Sequence, residues 1–449
     1  MTDKYLELVN SGFTKKIASA LGLPRPAKLR RQGFDPTRVP LGGTVVVLGE
    51  GKDADTIANL LLQWDFDVRR AAPPNGRVHA IIPVLTEAEN PSQVTSQVLD
   101  TGGLLRSLAP HGRVVTITRD PQALSDVAGA ATQAGAQGLL RSLAKEMRQG
   151  ATANGVVIGA GVGAGAPSVA SALHFFLSVR SAFVAGQLIH VTSRRGRPPA
   201  NWERPLEGQV ALVTGAARGI GAAITKVLAR DGAHVIGVDV PSAGEHLAQV
   251  MNEVGGTALQ LDITEDDAAQ RIANLAIQRL GSLDVVVHNA GVLRDRLLAN
   301  MSREQWETVV NVNLQAQLRM TRELMTTRGL SPDGLRVVTL ASTSGIAGNR
   351  GQTNYAFTKA GVMGMAESLA PVLAEAGGTI NAVAPGFIET EMTASIPLVT
   401  RQVARRLNSL QQGGLPVDVA EAIAFLVAPN SSGINGETLR VCGQNLVGK

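Results

Sequence analysis

The sequence predicts an α/β protein built from two doubly wound parallel-sheet domains. Apolar β-branched runs alternate with helix-like segments, the rhythm recurs on both sides of one charged break, and the two halves resemble each other. In the first half the runs are Thr44–Leu48, Ala80–Val84 and Arg113–Ile117. In the second they are Val210–Val213, Val235–Val238, Val285–Val287 and Arg336–Leu340. Strands that are apolar along their whole length are buried on both faces, as in a parallel sheet covered by crossover helices. Both halves are therefore expected to be Rossmann-like, the first as a degenerate, flavodoxin-like copy.

Residues 1–40 form an N-terminal arm. Leu6, Val9, Phe13, Ile17, Ala20 and Leu21 fall at helical spacing, and Pro24 and Pro26 end the pattern. A first domain follows over residues 41–193. Residues 194–204, charged and carrying the proline pair Pro198-Pro199, have neither period and read as a linker. The second domain spans residues 205–449. A chain of 449 residues suits this division, since single cores rarely grow past roughly 250–300 residues.

The repeat is direct. Ala172–Gly186 aligns without a gap on Ala422–Gly436, a constant offset of 250, and continues as QLIHV against ETLRV. Gln133–Gly138 likewise matches Lys359–Gly364, and Leu41-Gly42-Gly43 parallels Leu206-Glu207-Gly208.

Composition excludes several classes. Cys442 is the only cysteine, so neither an intrachain disulfide nor a cysteine metal site is expected, which points to an intracellular, cytoplasmic chain. The seven histidines show no ligand-like spacing, and no metal is expected. The opening residues lack a signal peptide's apolar core, and Arg180 and His190 break the most apolar stretch, Ala172–Val191, so no membrane span is expected. Residues 1–200 hold 22 Lys/Arg against 14 Asp/Glu, and the remainder 20 against 23. Lys15, Lys16, Arg25, Lys28, Arg30 and Arg31 concentrate that basicity in the arm, either as a solvated segment or as a landing surface for an acidic or phosphorylated carrier. Without interleaved aromatics, nucleic acid is not expected.

The chemistry lies in the second half. Thr214-Gly215-Ala216-Ala217-Arg218-Gly219-Ile220-Gly221 follows a strand and opens a helix. Glycines let the backbone approach a pyrophosphate, and the helix N-terminus supplies free N–H groups. Asp239 ends the next strand, where a carboxylate accepts from ribose hydroxyls and repels a 2′-phosphate, which favours NAD(H) over NADP(H). Tyr355 and Lys359 lie four apart on a helical segment, so the ammonium sits beside the phenol and is expected to lower its pKa. Ser342, at the end of the Arg336–Leu340 strand, is placed to hold a substrate carbonyl against the tyrosine.

Together these residues resemble the short-chain dehydrogenases/reductases across residues 205–449. Gly215, Gly219 and Gly221 match the family's glycine motif, Asp262 beside Ile263 its adenine-contacting acid, and Asn289-Ala290-Gly291 its motif beside the cofactor. Asn313, Ser342, Tyr355 and Lys359 match its active-site residues, and Pro385-Gly386 its nicotinamide cover, with Ile388 and Thr390 near the carboxamide. Within the family, Asn289–Asp295 (NAGVLRD), Gly351–Tyr355 (GQTNY) and Ala384–Met392 (APGFIETEM) are similar to 3-oxoacyl-(acyl carrier protein) reductases, and the added N-terminal domain resembles the high-molecular-weight reductases of mycobacteria. The resemblance implies NADH-dependent reduction of 3-oxoacyl thioesters, carried by acyl carrier protein or coenzyme A, in fatty-acid metabolism by a homodimer. Ser342 and Tyr355 would bind the carbonyl, Tyr355 would donate the proton, Lys359 would hold the nicotinamide ribose, and Asn313 would support a water relay. A dehydrogenase for another ketone or alcohol, or a dinucleotide-binding scaffold, stands as the alternative. Two residues depart from the family pattern: His288 replaces an asparagine, and Pro371 is expected to kink the helix after Lys359.

The first half reads as disabled. Gln133 stands for Lys359 and Gly129 for Tyr355, while Glu50, Asp53 and Asp55 surround the glycines at 49 and 51. Packing, assembly or carrier docking are its expected roles.

Overall fold

The computed structural model describes residues 3–11, 20–21, 23–35, 42–71, 73, 76–394 and 396–445. Two parallel sheets dominate it. The first contains β1 (Thr44–Leu48), β2 (Asp67–Arg69), β3 (Val78–Pro83), β4 (Leu108–Arg119), β5 (Thr152–Ile158) and β6 (Leu188–Val191). Their order, β2-β1-β3-β4-β5-β6, is the flavodoxin order extended by one strand. The second contains β7 (Val210–Thr214), β8 (His234–Asp239), β9 (Thr257–Gln260), β10 (Val285–His288), β11 (Arg336–Leu340), β12 (Thr379–Pro385) and β13 (Thr438–Val441). Its order, β13-β12-β11-β10-β7-β8-β9, is the dinucleotide-binding order with an added edge strand. All named strand pairs are parallel, and β5, β7, β10, β11 and β12 are buried from end to end, including the polar residues Asn154 of β5, Arg336 of β11 and Asn381 of β12.

The repeat is structural as well as textual. Shifting β6 by 250 residues lands on β13, and shifting the short 3-10 turn Val179–Ser181 lands on Pro429–Ser431. The first sheet lacks a counterpart of β9, which accounts for part of its shorter length. The halves meet through the equivalent helices Pro167–Leu177 and Pro416–Val427. Phe175 stacks on its own counterpart Phe425, with ring centroids 4.4 Å apart and planes at 5°. One hydrophobic cluster therefore runs through both halves, joining Val169, Leu173 and Phe183 to Val419, Ile434 and Leu439.

Charge seals this seam. Arg180 donates from Nε to Glu421 (2.5 Å) and from Nη2 to Asp231 (2.6 Å), while Arg230 bonds the same two carboxylates. Within the expected linker, Trp202 stacks on His174 at 4.3 Å.

Two expectations about helices change. The arm's helix covers Lys4–Asn10, and Phe13 and Ile17 lie outside the described residues. The helix Thr353–Glu375 runs through Pro371 without a break. Pro371 and Glu367, whose carbonyl loses its helical N–H partner at the proline, both lie on the exposed side, where water can take that bond.

Candidate active site

The residues singled out from the sequence converge at the C-terminal ends of β7, β8, β10, β11 and β12, around the switch point between β7 and β10. There the helix Gly219–Arg230 starts without a side-chain cap, so its first N–H groups face the crevice. At Gly221 a Cβ would stand 1.9 Å from the Gly215 carbonyl oxygen and 2.6 Å from Asn289 Nδ2, so glycine alone fits this turn. Asn289 Nδ2 donates to the carbonyls of Thr214 (2.9 Å) and Gly215 (3.0 Å). The Thr214 hydroxyl accepts the N–H groups of Asn289 and Ala290, both at 3.1 Å. The glycine loop is thereby welded to Asn289-Ala290-Gly291.

Asp239 ends β8 with Oδ2 accepting the Ala217 N–H of the glycine loop (3.0 Å) and Oδ1 accepting that of Val240 (2.9 Å). Arg218 is exposed, Ile220 partly buried. Asp262 Oδ1 takes both the N–H (2.9 Å) and the hydroxyl (2.7 Å) of Thr264, and its neighbour Ile263 is buried. An uncapped helix N-terminus, a glycine turn and a carboxylate at the end of the second strand fit a dinucleotide's pyrophosphate and ribose.

Ser342 caps the short helix Thr343–Ala347, its hydroxyl accepting from Ser344 N (3.1 Å) and acting to lower the pKa of the Tyr355 phenol. Lys359 is buried one turn after Tyr355. Its Nζ lies 5.4 Å from the tyrosine ring centroid and donates to the Leu340 carbonyl at 2.5 Å. Asn313 is fully buried in a π-helical turn, Asn311–Gln315. Such turns re-aim side chains within a helix and recur at functional sites. Its amide accepts from Val292 N (2.8 Å) and donates to Val292 O (3.0 Å), which sets Gly291 between Asn313 and Lys359.

The expectation that Lys359 lowers the tyrosine's pKa requires correction. Burial pushes Tyr355 up to about 12, Ser342 acting against this and the Asp295 charge adding to it. Burial also pushes Lys359 down to about 8. The phenol is therefore protonated at neutral pH, the form that can give a proton to a carbonyl.

Asp295, Gln352 and Asn354 lie in these motifs without a role of their own. Gln352 Nε2 donates to Asp295 (2.8 Å), Ser344 donates to Gln352 (3.1 Å), and buried Asn354 donates to the Arg294 carbonyl (3.1 Å). The stretches Asn289–Asp295 and Gly351–Tyr355 are thus latched together, and the latch holds the start of the helix that carries Tyr355 and Lys359. Their shared polarity near Tyr355 was the only signal for this. His288, the departure from the family pattern, is fully buried and bonds Thr321 at 2.8 Å.

Beyond Pro385, the Gly386 N–H donates to Val441 (3.0 Å) and Glu389 N to Gly414 (2.8 Å). Ile388 is buried and Thr390 bonds Thr393 at 2.9 Å, so the segment leaves the sheet as a closed loop.

The corresponding crevice of the first half is filled by the chain itself. A Cβ at Gly51 would lie 2.0 Å from the Glu87 carboxylate, which stands at the start of the helix Lys52–Leu62. Asp53 is paired with Arg119 at 2.6 Å. Gln133, in the lysine's position, accepts from Arg119 N (2.9 Å) and donates to Leu85 O (2.8 Å).

A glycine-lined helix terminus facing a Ser-Tyr-Lys cluster defines an oxidoreductase that uses a nicotinamide dinucleotide. Residues 215–443 match the family model described as enoyl-(acyl carrier protein) reductase. The chain is also similar to 3-oxoacyl-(acyl-carrier-protein) reductases. That of Thermotoga maritima is 40% identical over 243 residues, 53% of this chain and 98% of the relative. Those of Vibrio harveyi (40% over 241 residues) and Escherichia coli K12 (38% over 243 residues) each align over 53% of this chain and 97% of their own length. The chain belongs to the short-chain dehydrogenase/reductase family. Among the described residues no helix is long and apolar enough to cross a membrane.

Proposed function

We propose that the protein reduces 3-oxoacyl thioesters, carried by acyl carrier protein or coenzyme A, to 3-hydroxyacyl thioesters, with NADH preferred over NADPH. The observation that carries this is the convergence of Ser342, Tyr355, Lys359 and Asn313 on the crevice beside Gly215–Gly221, read with the names of the relatives. The Ser342 and Tyr355 hydroxyls hold the substrate carbonyl oxygen, and Tyr355 Oη donates its proton as the alkoxide forms. Lys359 and Asn289-Ala290-Gly291 bind the nicotinamide ribose, Gly215, Arg218, Gly219, Ile220 and Gly221 the pyrophosphate, and Asp239, Asp262 and Ile263 the adenosine. Pro385, Gly386, Ile388 and Thr390 cover the nicotinamide. The cofactor, when bound, supplies the hydride. Asn313 fixes the Gly291-Val292 backbone against Lys359 and supports the relay that reprotonates Tyr355. Asp239 supports the NADH preference, since a 2′-phosphate beside its carboxylate would be repelled.

We place the protein in the cytoplasm as a homodimer that associates through the helices flanking the site, where Phe357 stands half-exposed against Trp306. With its crevice filled by Glu87 and Gln133, the first half serves packing and assembly, not redox chemistry.

The test is oxidation of NADH and of NADPH with acetoacetyl-coenzyme A, for the intact chain and for Tyr355→Phe. Turnover should favour NADH and fall roughly 10²–10⁴-fold in the variant. Binding of NADH without any turnover would point to the scaffold reading.

A further inference from the structure

The N-terminal arm does more than precede the domains. Asp3 caps the helix Lys4–Asn10, accepting from Tyr5 N (3.2 Å) and Leu6 N (3.4 Å). The same carboxylate, only 7% exposed, reaches the last turn of the helix Leu398–Arg406, lying 3.1 Å from Arg406 and 3.8 Å from Arg405. The Arg406 guanidinium packs over the Tyr5 ring at 4.5 Å, and the Tyr5 hydroxyl donates to the Pro24 carbonyl at 2.7 Å. Tyr5 is thereby fixed on the arm's second limb. That limb buries Pro26, Leu29 and Gln32 at every third residue, the period of an extended polyproline-like strap. From it the Ala27 carbonyl accepts from Gln412 (2.8 Å), and Arg31 grips Asp418 at 2.9 and 3.0 Å.

The arm therefore holds the C-terminal side of the loop that covers the crevice, at Arg405, Arg406, Gln412 and Asp418. The route into the site is short. Arg405, 4% exposed, makes a two-pronged bond to Glu389, with Nε to Oε1 at 2.5 Å and Nη2 to Oε2 at 2.8 Å. Glu389 sits between Ile388 and Thr390, the residues assigned to the nicotinamide cover. We propose that the arm is a brace for this cover, with Asp3 and Tyr5 as positioning residues that act on substrate binding through Arg405, Arg406 and Glu389. The substrate half of this inference rests on the reductase reading above; the contact between arm and cover does not.

Asp3→Asn isolates the charge, because asparagine caps a helix as well as aspartate does. Asp3→Glu keeps the charge and serves as the rescue. In the full-length protein, Asp3→Asn should raise KM for acetoacetyl-coenzyme A roughly five- to tenfold while kcat stays within about twofold, the loss being one charge-assisted contact. Trypsin cleavage after Arg401, Arg405 and Arg406, which requires local opening of the cover, should quicken roughly tenfold at an unchanged melting temperature. Asp3→Glu should restore both. Unaltered KM and cleavage in Asp3→Asn would overturn the proposal, as would a lowered melting temperature with faster cleavage throughout the chain. If the unaltered protein turns over no 3-oxoacyl thioester, the reductase reading fails, and the cleavage rates alone decide the brace.

Discussion

Replacing Arg180 with methionine tests what holds the two halves together. Arg180, Arg230, Asp231 and Glu421 form a charge-balanced quartet whose side chains are 8%, 1%, 0% and 2% exposed. Without Arg180, Arg230 alone faces two carboxylates, and one negative charge is left uncompensated inside the seam. Breaking a buried pair by removing one partner costs about 3–5 kcal/mol, because the remaining charge stays desolvated. The added change Glu421→Gln restores neutrality and should recover at least about 1 kcal/mol of that loss, since each charge-assisted bond contributes about 1.5–3 kcal/mol. Urea unfolding of the wild type, both single variants and the double variant forms the required cycle. Circular dichroism and calorimetry together would check for separate unfolding of the halves. A loss below about 1 kcal/mol for Arg180→Met would put the quartet on the level of a surface pair and refute the reasoning. So would a double variant less stable than Arg180→Met alone.

Three further outcomes are expected. Burial holds Lys359 near 8, so kcat/KM for NADH should fall as pH rises through about 8, by up to tenfold per unit above it, and Lys359→Arg should flatten that limb; a flat wild-type profile to about pH 9.5 would contradict the assignment. Burial lowers His288 from its ordinary 6.5 to about 4, so on acidification the unfolded chain takes up this proton first. Stability is then lost between roughly pH 6.5 and 4, about 2 kcal/mol of it by pH 5, and His288→Asn should show that much less dependence in urea titrations at the two pH values. Asp239→Ser should narrow the ratio of NADH to NADPH turnover at least roughly tenfold and weaken NADH binding, since Ala217 N loses its charged acceptor; an unchanged ratio would remove Asp239 from the specificity argument.

The strands and the clustering of the candidate site residues were legible because they rest on local patterns. A parallel strand buried on both faces is mostly apolar, a glycine turn must admit a close backbone, and residues four apart share a helix face. What escaped depends on partners far away in sequence. The Asp295–Gln352 latch joins residues whose motifs were each recognised but whose contact has no periodic signal. Arg180 and His190 were legible only as interruptions of an apolar stretch. In the structure each meets a carboxylate from the other half, Glu421 for Arg180 and, at 3.0 Å, Glu437 for His190. The tyrosine's pKa was misjudged for a related reason. The spacing of Tyr355 and Lys359 shows that the groups are neighbours but not that both are buried, and burial disfavours the charged form of each.

The seam also joins the two halves in a reciprocal pattern. Ser193 N donates to Gly433 O (3.4 Å) and Gly443 N to Phe183 O (3.0 Å), two bonds that exchange places under the offset of 250. With Phe175 stacked on Phe425, this is the reciprocal pattern of a two-fold dimer interface, made within one chain. The quartet breaks that symmetry. The counterpart of Arg180 is Asn430 and that of Glu421 is Ser171, so the ion pair exists on one side of the axis only. Two first halves meeting through this face would set Arg180 opposite serine, and two second halves would set Glu421 opposite asparagine. The first leaves Arg180 without a carboxylate and the second leaves Arg230 alone against Glu421 and Asp231, so each buries an uncompensated charge, at a cost of several kcal/mol by the reasoning applied to Arg180. Only the pairing of unlike halves neutralises both, so charge as well as apolar packing favours the first half over a second copy on this face.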